Sequence, residues 1–228
     1  LNGSVDDVRI YNRAITSAEV TALSGSYDSG VSVSSTQKDL IAWWRMDGNA
    51  KDSSPYANDG TVANATLTTD RKAQSNKAYS FNGTSAKITQ ASPSNLSPGT
   101  SNFSLSLWFK TSTTGDLIHT ADNNAGSFTQ GYGLAVSSNF AIGCSAANKL
   151  FFNMANGTTR DTPICSTNTV NDNNWHLATI TVDRSSNTKR LYLDGTLDNS
   201  VTNTLTGSIS TATRFTVGEA IWQNYFSG

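Results

Sequence analysis

The chain has 228 residues and a formal net charge of −1, from 16 Lys and Arg against 17 Asp and Glu. That length suits one large all-β domain or two small ones, and it can bury a full hydrophobic core. A near-neutral chain lacks the basic surface that phosphate contacts require, which argues against nucleic acid as a partner. No apolar run approaches the roughly 18–20 residues of a membrane span. No signal region or initiator Met is present, so we expect Leu1 to arise by processing or as a fragment boundary.

Small polar residues dominate the composition. The chain has 31 Ser, 30 Thr and 23 Asn but only two Glu. Helix surfaces are normally filled with Glu, Lys, Gln, Arg and Ala, whereas Thr, Ser and Asn favour strands and turns. The composition therefore predicts a chain of strands and turns, and its uncharged surface is typical of secreted proteins.

One short helix is predicted near the N-terminus. Thr16 and Glu19 have the spacing of a capping box, in which each side chain accepts a hydrogen bond from the other residue's backbone N–H. Ile15 and Val20 occupy the positions of a hydrophobic staple around it. These signals predict a helix over residues 17–23, and the Ser/Gly-rich segment 24–38 that follows is predicted to be a linker.

The loop after the first predicted strand is the best candidate for a metal site. It carries Asp47, Asn49, Asp52 and Asn58, and calcium prefers six to eight oxygen ligands of this kind. Ordinary turn chemistry is the alternative, because Asp and Asn side chains also accept hydrogen bonds from nearby backbone N–H groups. The composition of the loop leaves both interpretations open.

Alternating apolar residues recur along the rest of the chain, with the period of a strand that has one buried face. Residues 175–197 hold two such runs around a polar turn, which is the pattern of a hairpin. Many short strands separated by turns predict a β-sandwich or jelly roll. The clearest faces are Leu40, Ala42, Trp44 and Met46 in one strand, and Phe103, Leu105, Leu107 and Phe109 in another that has Trp108 on its opposite face.

The two cysteines, Cys144 and Cys165, are predicted to form a disulfide. Neither belongs to a C-x-x-C pair, which argues against a zinc site. A disulfide requires an oxidising compartment, so the pairing supports an extracellular or cell-surface location. The alternative is two unpaired small core residues.

Several segments together resemble the laminin-G-like jelly-roll family, which has a concanavalin A-like sandwich. The segment LIAWWRMDGNAKDSSPYANDG at residues 40–60 is similar to the first strand and loop of the family. Later family strands are matched in order by residues 78–84, 103–110, 174–176 and 191–195. The resemblance implies an all-β fold, a two-sheet antiparallel jelly-roll sandwich with one short helix.

One segment is out of order in this resemblance. Residues 2–15 look like the last strand of the family and the start of the helix that follows it. The resemblance therefore divides the chain into a closing strand with a short helix (1–23), a linker (24–38) and a sandwich that lacks its last strand (39–228).

The displaced strand allows three arrangements. The chain is cut from a tandem array, or its first strand folds back in cis, or the strand completes a neighbouring copy. We predict the third arrangement, in which Val5, Val8 and Ile10 supply the apolar face of a donated strand. The expected partners are then copies of the same chain, joined head to tail as a filament.

The resemblance also extends the calcium prediction. Some members of the family bind calcium between the first loop and the last strand, which makes Asp6 or Asp7 the distant ligand. Asp6 shares strand parity with Val8 and is therefore expected to point inward, where a carboxylate needs a cation. The alternative is an ion pair between Asp6 and Arg9 or Arg45.

The sequence predicts that the chain is not an enzyme. Related sandwich glucanases carry an E-x-D-x-E motif, and glycoside hydrolysis needs two facing carboxyl groups. Here Glu19 belongs to a helix cap and Glu219 stands alone, while His176 resembles a structural position of the family.

The function predicted from the sequence is a non-enzymatic extracellular or cell-surface module for adhesion or assembly. A carbohydrate-binding module is the alternative, and a glycoside hydrolase is the remote one. A glycan or a surface protein is the expected partner besides copies of the chain. No ligand-binding residue is assigned, although four aromatic residues are candidates for a sugar site: Trp43, Trp108, Trp222 and Tyr225.

Overall fold

The computed structural model describes residues 1–25, 37–91, 94–120, 122–124, 127–137, 144–210 and 214–219. These residues contain one α-helix, α1 (Ser17–Gly25), a 3₁₀ turn at Ser94–Leu96 and sixteen strands. The strands are β1 (Asn2–Tyr11), β2 (Leu40–Trp44), β3 (Thr61–Ala63), β4 (Thr66–Thr68), β5 (Ala78–Asn82), β6 (Lys87–Gln90), β7 (Phe103–Thr111), β8 (Gly115–His119), β9 (Asp122–Asn124), β10 (Ser127–Val136), β11 (Lys149–Asn156), β12 (Ile164–Thr169), β13 (Trp175–Asp183), β14 (Thr188–Leu193), β15 (Thr196–Thr202) and β16 (Phe215–Val217).

The strands form two antiparallel sheets that pack face to face. The first sheet has the order β15-β14-β13-β7-β1-β5-β4, and β2 pairs with the second half of β1. The second sheet has the order β12-β11-β10-β8-β16-β6-β3, and β9 pairs with β10. This architecture confirms the predicted jelly-roll sandwich with one short helix.

The core lies between the two sheets and is built by the predicted alternation. Phe103, Leu105, Leu107 and Phe109 of β7 are all buried in it, while Trp108 points to the outer face. The predicted hairpin is also confirmed, because β13 and β14 pair through six residues around a polar turn. Across the core, the Trp44 ring stacks on the Phe215 ring with centroids 4.9 Å apart. These contacts tie the first sheet to the second.

Strand β1 lies in the middle of the first sheet of its own chain. One edge of β1 pairs with β7 and the other pairs with β5 and then β2. Val5, Val8 and Ile10 are at most 1% exposed in the core. In this single chain, its own strand fills the slot, which is the cis arrangement that the sequence allowed. Donation to a neighbouring copy stays a prediction. Most of the predicted linker, residues 26–36, falls outside the described residues.

A bulge in β1 corrects the expected orientation of Asp6. Val5 and Val8 both point into the core although they are three positions apart. The pairing with β7 shifts register between Asp6 and Arg9, and Asp7 has a φ of 52°. The alternation of side chains between the two faces of the strand is therefore interrupted at the bulge. Asp6 consequently faces away from the core and towards the charged groups described below.

The predicted capping box is confirmed at the start of α1. The Thr16 backbone N–H donates to Glu19 Oε2 at 2.8 Å, and the Glu19 N–H donates to Thr16 Oγ1 at 3.3 Å. Arg13 holds the same carboxylate through two hydrogen bonds of 2.7 and 2.8 Å. The helix extends to Gly25, two residues beyond the predicted end. It covers the outer face of the first sheet, in a cluster that contains Tyr11, Ile15, Val20, Leu23, Leu40, Trp43, Leu177 and Tyr192.

The predicted disulfide is present on the outer side of the second sheet. Cys144 and Cys165 are bonded, with Cα atoms 5.7 Å apart. Ala135 and Phe151 pack against the bridge. The bond fixes residue 144 to strand β12. No helix in the described part of the chain has the length and hydrophobicity needed to cross a membrane.

Candidate functional site

The residues predicted to bind calcium lie on the first strand and in the loop after β2, and they meet, in part, at one place. Asp6 and Asp7 from the bulge and Asp47 from the loop line a small cavity of about 30 Å³, which we call the charged pit. Such a volume has room for water but not for an organic ligand. The other residues that line it are Trp43, Arg45, Asp70, Arg71 and Lys77.

Cations already pair with the aspartates of the charged pit. Arg71 Nη1 lies 2.7 Å from Asp6 Oδ2, and both side chains are less than one-tenth exposed. Asp7 Oδ1 accepts the Trp43 indole N–H at 2.7 Å. The Arg71 guanidinium also lies over the Trp108 ring, 4.6 Å from its centroid. Each of these contacts lowers the cost of burying the charges.

Burial, followed by the repulsion of neighbouring Asp7, raises the pKa of Asp6 well above that of an ordinary aspartate. Arg71 opposes this shift because its positive charge favours the ionised carboxylate. Arg9 is as buried as Arg71, and its Nε lies 3.1 Å from Asp7 Oδ1. The charged pit is thus a place where negative charge is crowded and held by two nearly buried guanidinium groups.

The loop residues Asp52, Asn58 and Asn49 have a structural role instead. Asp52 Oδ1 accepts the Trp43 and Ser54 N–H groups, and its Oδ2 accepts the Asn58 N–H, each at 2.8 Å. Asn58 donates its side-chain amide to a backbone carbonyl at 2.8 Å. Asn49 Oδ1 accepts a backbone N–H two residues later. This is the turn chemistry that the sequence left open.

The charged pit does not fit a calcium ion as it stands. Among the described residues, no group of three or more His, Cys, Asp or Glu side chains is arranged to hold a metal. Calcium needs six or more oxygens, whereas Arg71, Arg45 and Lys77 occupy the space around these aspartates. Calcium binding therefore stays a prediction. Sequence reasoning missed Asp70 and Arg71, which lie about 65 residues from Asp6 with no local pattern to connect them.

A larger cavity opens at the edge where the chain crosses between the sheets. Its volume is about 330 Å³, and we call it the crossover cavity. The β3–β4 turn and the β5–β6 turn both pass from one sheet to the other here, beside the end of β16. The lining residues are Ala63, Asn64, Gly83, Thr84, Ser85, Ala86, Lys87, Gly218 and Glu219.

One side chain fixes the wall of the crossover cavity that the β5–β6 turn provides. Asn82 Oδ1 accepts the N–H groups of Thr84, Ser85 and Ala86 at 2.9 to 3.1 Å. Gly83 has a φ of +77°, and a Cβ on it would lie 3.0 Å from Asn2 Cβ. The wall is therefore held by the local sequence, independent of any ligand.

Lys87 and Glu219 form an ion pair in the lining of the crossover cavity. Lys87 Nζ lies 2.6 Å from Glu219 Oε1, and Arg214 lies 3.0 Å from the other carboxylate oxygen. Asn64 donates to the Ser85 carbonyl at 3.5 Å. The wall of the cavity thus presents a carboxylate held by two cations, together with hydroxyl and amide groups.

A buried polar row crosses the outer face of the second sheet. His119, Gly133, Asn153 and Thr216 are cross-strand neighbours in it. His119 Nε2 contacts Thr216 Oγ1 at 3.0 Å, whereas His119 Nδ1 and Asn153 Oδ1 have no hydrogen-bond partner in the described residues. Burial lowers the pKa of His119 to about 3, and the positive charge of Arg214 adds to the shift.

His176 lies in the opposite electrostatic setting, on the first sheet. Its Nδ1 contacts Asp194 Oδ2 at 2.9 Å and its Nε2 contacts Asp172 Oδ1 at 3.1 Å. The hydrogen bond to Asp194 raises the pKa of His176, against a smaller opposing effect of burial. Both nitrogens are occupied, in keeping with the structural role that the sequence predicted.

The two glutamates and the candidate aromatics complete the list of predicted sites. Glu19 caps α1, and Glu219 is paired with Lys87 on the far edge of the sandwich. Trp43 is 6% exposed beneath arginines, so it presents little surface to a sugar. Trp108 is partly buried, and the Arg71 guanidinium lies over its ring. The remaining candidates, Trp222 and Tyr225, lie outside the described residues.

The two-sheet architecture defines a lectin-like sandwich, and a family model agrees with it. The model of the laminin G type, described as the concanavalin A-like lectin/glucanases superfamily, matches residues 82–228. The chain belongs to this superfamily. No curated protein matches the sequence.

The chain is similar to solved structures that include two binding domains of toxins. The binding domain of Paraclostridial Mosquitocidal Protein 1 is 16% identical with a TM-score of 0.54, over 75% of this chain and 42% of that one. The Botulinum neurotoxin serotype D binding domain is 16% identical with a TM-score of 0.53, over 74% and 40%. Mouse laminin alpha1 domains LG4-5 are 16% identical with a TM-score of 0.41, over 52% and 28%. The chain spans about two fifths of the two toxin domains, and the likeness to those two shows the fold.

Proposed function

We propose that the chain is a non-enzymatic binding module that works outside the cell, in adhesion or in the assembly of surface structures. The observation that carries the proposal is the crossover cavity. Its volume of about 330 Å³ lies at the lower end of the range usual for small-ligand sites. Its polar groups lie on a wall that Asn82 already holds in place.

The placement of the carboxylates supports a binding role over a hydrolytic one. A glycosidase needs two carboxyl groups facing one bond, about 5–10 Å apart. Glu19 is committed to Arg13 and to the cap of α1, and Glu219 is committed to Lys87 and Arg214. The aspartates that meet in the charged pit enclose only about 30 Å³, which has no room for a sugar ring.

The disulfide supports the extracellular part of the proposal. A bond between Cys144 and Cys165 persists in oxidising compartments and is reduced in the cytosol. Domains of the laminin G type are typically extracellular, and the family model of that type matches residues 82–228 of this chain.

An array of purified glycans and extracellular-matrix proteins tests this function. The oxidised 228-residue chain should bind at least one class of spot saturably, and it should release no reducing ends from soluble glucans. Release of reducing ends would contradict the non-enzymatic proposal. Absence of binding to both classes of spot would contradict the binding proposal.

A further inference from the structure

A lysine occupies a core position of strand β14. Lys189 lies two residues before Leu191, so both side chains point to the same face of the strand, and Leu191 belongs to the core between the sheets. The cross-strand neighbours of Lys189 are Val182 on β13 and Val201 on β15. The Lys189 side chain is fully buried. An ammonium group in such a place needs a partner that offsets its lost hydration.

The partner is Asp161, in the connection between β11 and β12 of the second sheet. The Asp161 side chain is also fully buried, and its Oδ2 contacts Lys189 Nζ. The Asp161 backbone N–H donates to the Met154 carbonyl of β11 at 2.9 Å, which fixes the residue to the second sheet. The Lys189 side chain therefore reaches from the first sheet to the second.

The two oxygens of the Asp161 carboxyl group have different surroundings. Oδ1 accepts the Thr204 backbone N–H at 3.1 Å and the Thr204 hydroxyl at 2.7 Å. Oδ2 lies against the Lys189 ammonium, and no other group of the described residues donates to it. Lys189 Nζ also donates to the Thr162 carbonyl. Two donors thus hold Oδ1, as they hold the oxygen of an attacked carbonyl in acyl transfer, while Oδ2 is free to leave.

Burial favours the neutral forms of this pair. Desolvation lowers the pKa of Lys189, and the hydrogen bond and negative charge of Asp161 oppose that effect. A proton that moves from Nζ to Oδ2 removes both buried charges and leaves a neutral amine, which is the nucleophilic form of lysine. The amine then lies against a carboxylic acid that is fixed in place and shielded from bulk water. Both conditions favour formation of an amide.

We propose that Lys189 and Asp161 are joined by an isopeptide bond, which forms within the folded chain and links the two sheets covalently. The Nζ–Cγ bond forms and the Cγ–Oδ2 bond breaks. Oδ2 leaves as water with two of the three ammonium protons, and the third proton stays on the amide nitrogen, where it donates to the Thr162 carbonyl. Both Thr204 donors stabilise the negative charge that collects on Oδ1 during the attack. The step needs no oxidant and no further reactant.

The intact mass of the purified chain tests the proposal. The folded chain is incubated at neutral pH, unfolded in denaturant with reductant, and measured by mass spectrometry. We expect a mass lower than that of the 228-residue sequence by one water, because an amide bond survives unfolding and reduction whereas an ion pair does not. A mass equal to that of the sequence would overturn the proposal and leave Lys189 and Asp161 as a buried ion pair.

Two variants and a matched control locate the loss of water. Lys189→Arg keeps the positive charge without the amine nucleophile, and Asp161→Ala removes the acceptor, so each should have the full mass of its own sequence. Lys77→Arg changes a lysine that pairs with Asp47 at the surface, where the lysine side chain is 40% exposed, and it should still lose one water. A loss that persists in Lys189→Arg would come from another site, such as a cyclised aspartate, and would overturn the proposal.

Digestion of the native chain gives the answer even if a variant fails to fold. Trypsin cuts after Arg184 but not after an acylated lysine. The reduced digest should therefore contain residues 161–184 and 185–190 as one branched peptide with two N-termini. Release of residues 185–189 as a separate peptide in full yield would show that the lysine is free, and would contradict the isopeptide bond.

Discussion

On the outer face of the first sheet, buried charges lie in ion pairs; on the outer face of the second sheet, two buried polar atoms have no hydrogen-bond partner among the described residues. Arg71 pairs with Asp6 at 2.7 Å beside the cluster that α1 covers. His119 Nδ1 and Asn153 Oδ1, on either side of Gly133, have no hydrogen bond in the described residues. An unpaired buried polar group costs about 1–3 kcal/mol wherever it lies, and Trp108 Nε1 on the first face is also without a hydrogen bond in the described residues. The two faces therefore differ in whether their buried polar groups are charged: the first holds charges in ion pairs, and the second holds a neutral histidine against a threonine hydroxyl.

The largest effect should follow from breaking the ion pair on the first face. Asp6→Ala leaves the nearly buried Arg71 guanidinium without its closest carboxylate, and such a loss costs about 3–5 kcal/mol. The control is Asp47→Ala, whose side chain is 30% exposed and whose partners are at the surface, where a salt bridge contributes about 0–1 kcal/mol. Urea unfolding measures both. Equal losses for the two variants would show that the first face does not depend on this buried pair.

Sequence reasoning predicted the parts of the fold that local patterns encode. The alternation in β7, the capping box of Thr16 and Glu19 and the cysteine pairing are each visible in one segment or one pair of residues, and the structure has all three. The orientation of Asp6 was wrong because a bulge adds a residue to the strand without any mark in its alternation. The partner Arg71 comes from a distant turn, so only the assembled sheet reveals it. The crossover cavity depends in the same way on two turns and a strand end that are separate in sequence.

The disulfide allows the second face to be weakened independently of the first. Replacing both Cys144 and Cys165 by Ala should lower the free energy of unfolding by about 3 kcal/mol, since the bridge closes a loop of 21 residues. Ala135 and Phe151 keep their other contacts, so reduction of the native bridge should give a loss of similar size. Denaturant unfolding with and without reductant checks this. If the double variant lost much more stability than the reduced chain, the extra loss would come from the packing changed by the two alanines and not from the missing bridge.

The two histidines report on the two faces separately. The chain has only two, His119 and His176, so their ring signals in an NMR titration are readily assigned. Burial lowers the pKa of His119 to about 3, and carboxylate contacts raise that of His176. Between about pH 4.5 and pH 8.5, His119 should show no titration, while His176 should titrate above the usual value of about 6.5. Replacing His119 by Gln and His176 by Gln in turn identifies each signal.

The same shifts determine how stability changes with pH. For His119 the unfolded chain binds the proton more readily, so its contribution to stability is lost as pH falls below about 6.5, by up to about 1.4 kcal/mol per pH unit. For His176 the folded chain binds the proton more readily, so its contribution is present at low pH and is lost as pH rises through its raised pKa. The difference in unfolding free energy between each Gln variant and the native chain, measured at several pH values, should change with opposite sign for the two positions. Changes of the same sign would contradict the contrast between the faces.

Calcium should have the smallest effect on stability. Adding it tests whether the charged pit keeps its ion pairs or exchanges them for a bound metal ion. The sequence predicts that calcium binds the Asp47–Asn58 loop, with Asp6 or Asp7 as the distant ligand, whereas the structure fills the pit beside Asp47 with Arg71, Arg45 and Lys77. A divalent ion would have to displace these cations, so we expect the unfolding temperature in about 5 mM calcium to equal that in chelator. If calcium did bind at 100 times its dissociation constant, stability would rise by about 2.7 kcal/mol. In that case Asp47→Ala should abolish the rise, because Asp47 would be a ligand, and Asp52→Asn should leave it, because the Asp52 oxygens already accept backbone N–H groups in the loop. A rise that survives Asp47→Ala would place the ion elsewhere and leave the first face as an ion-paired structural surface.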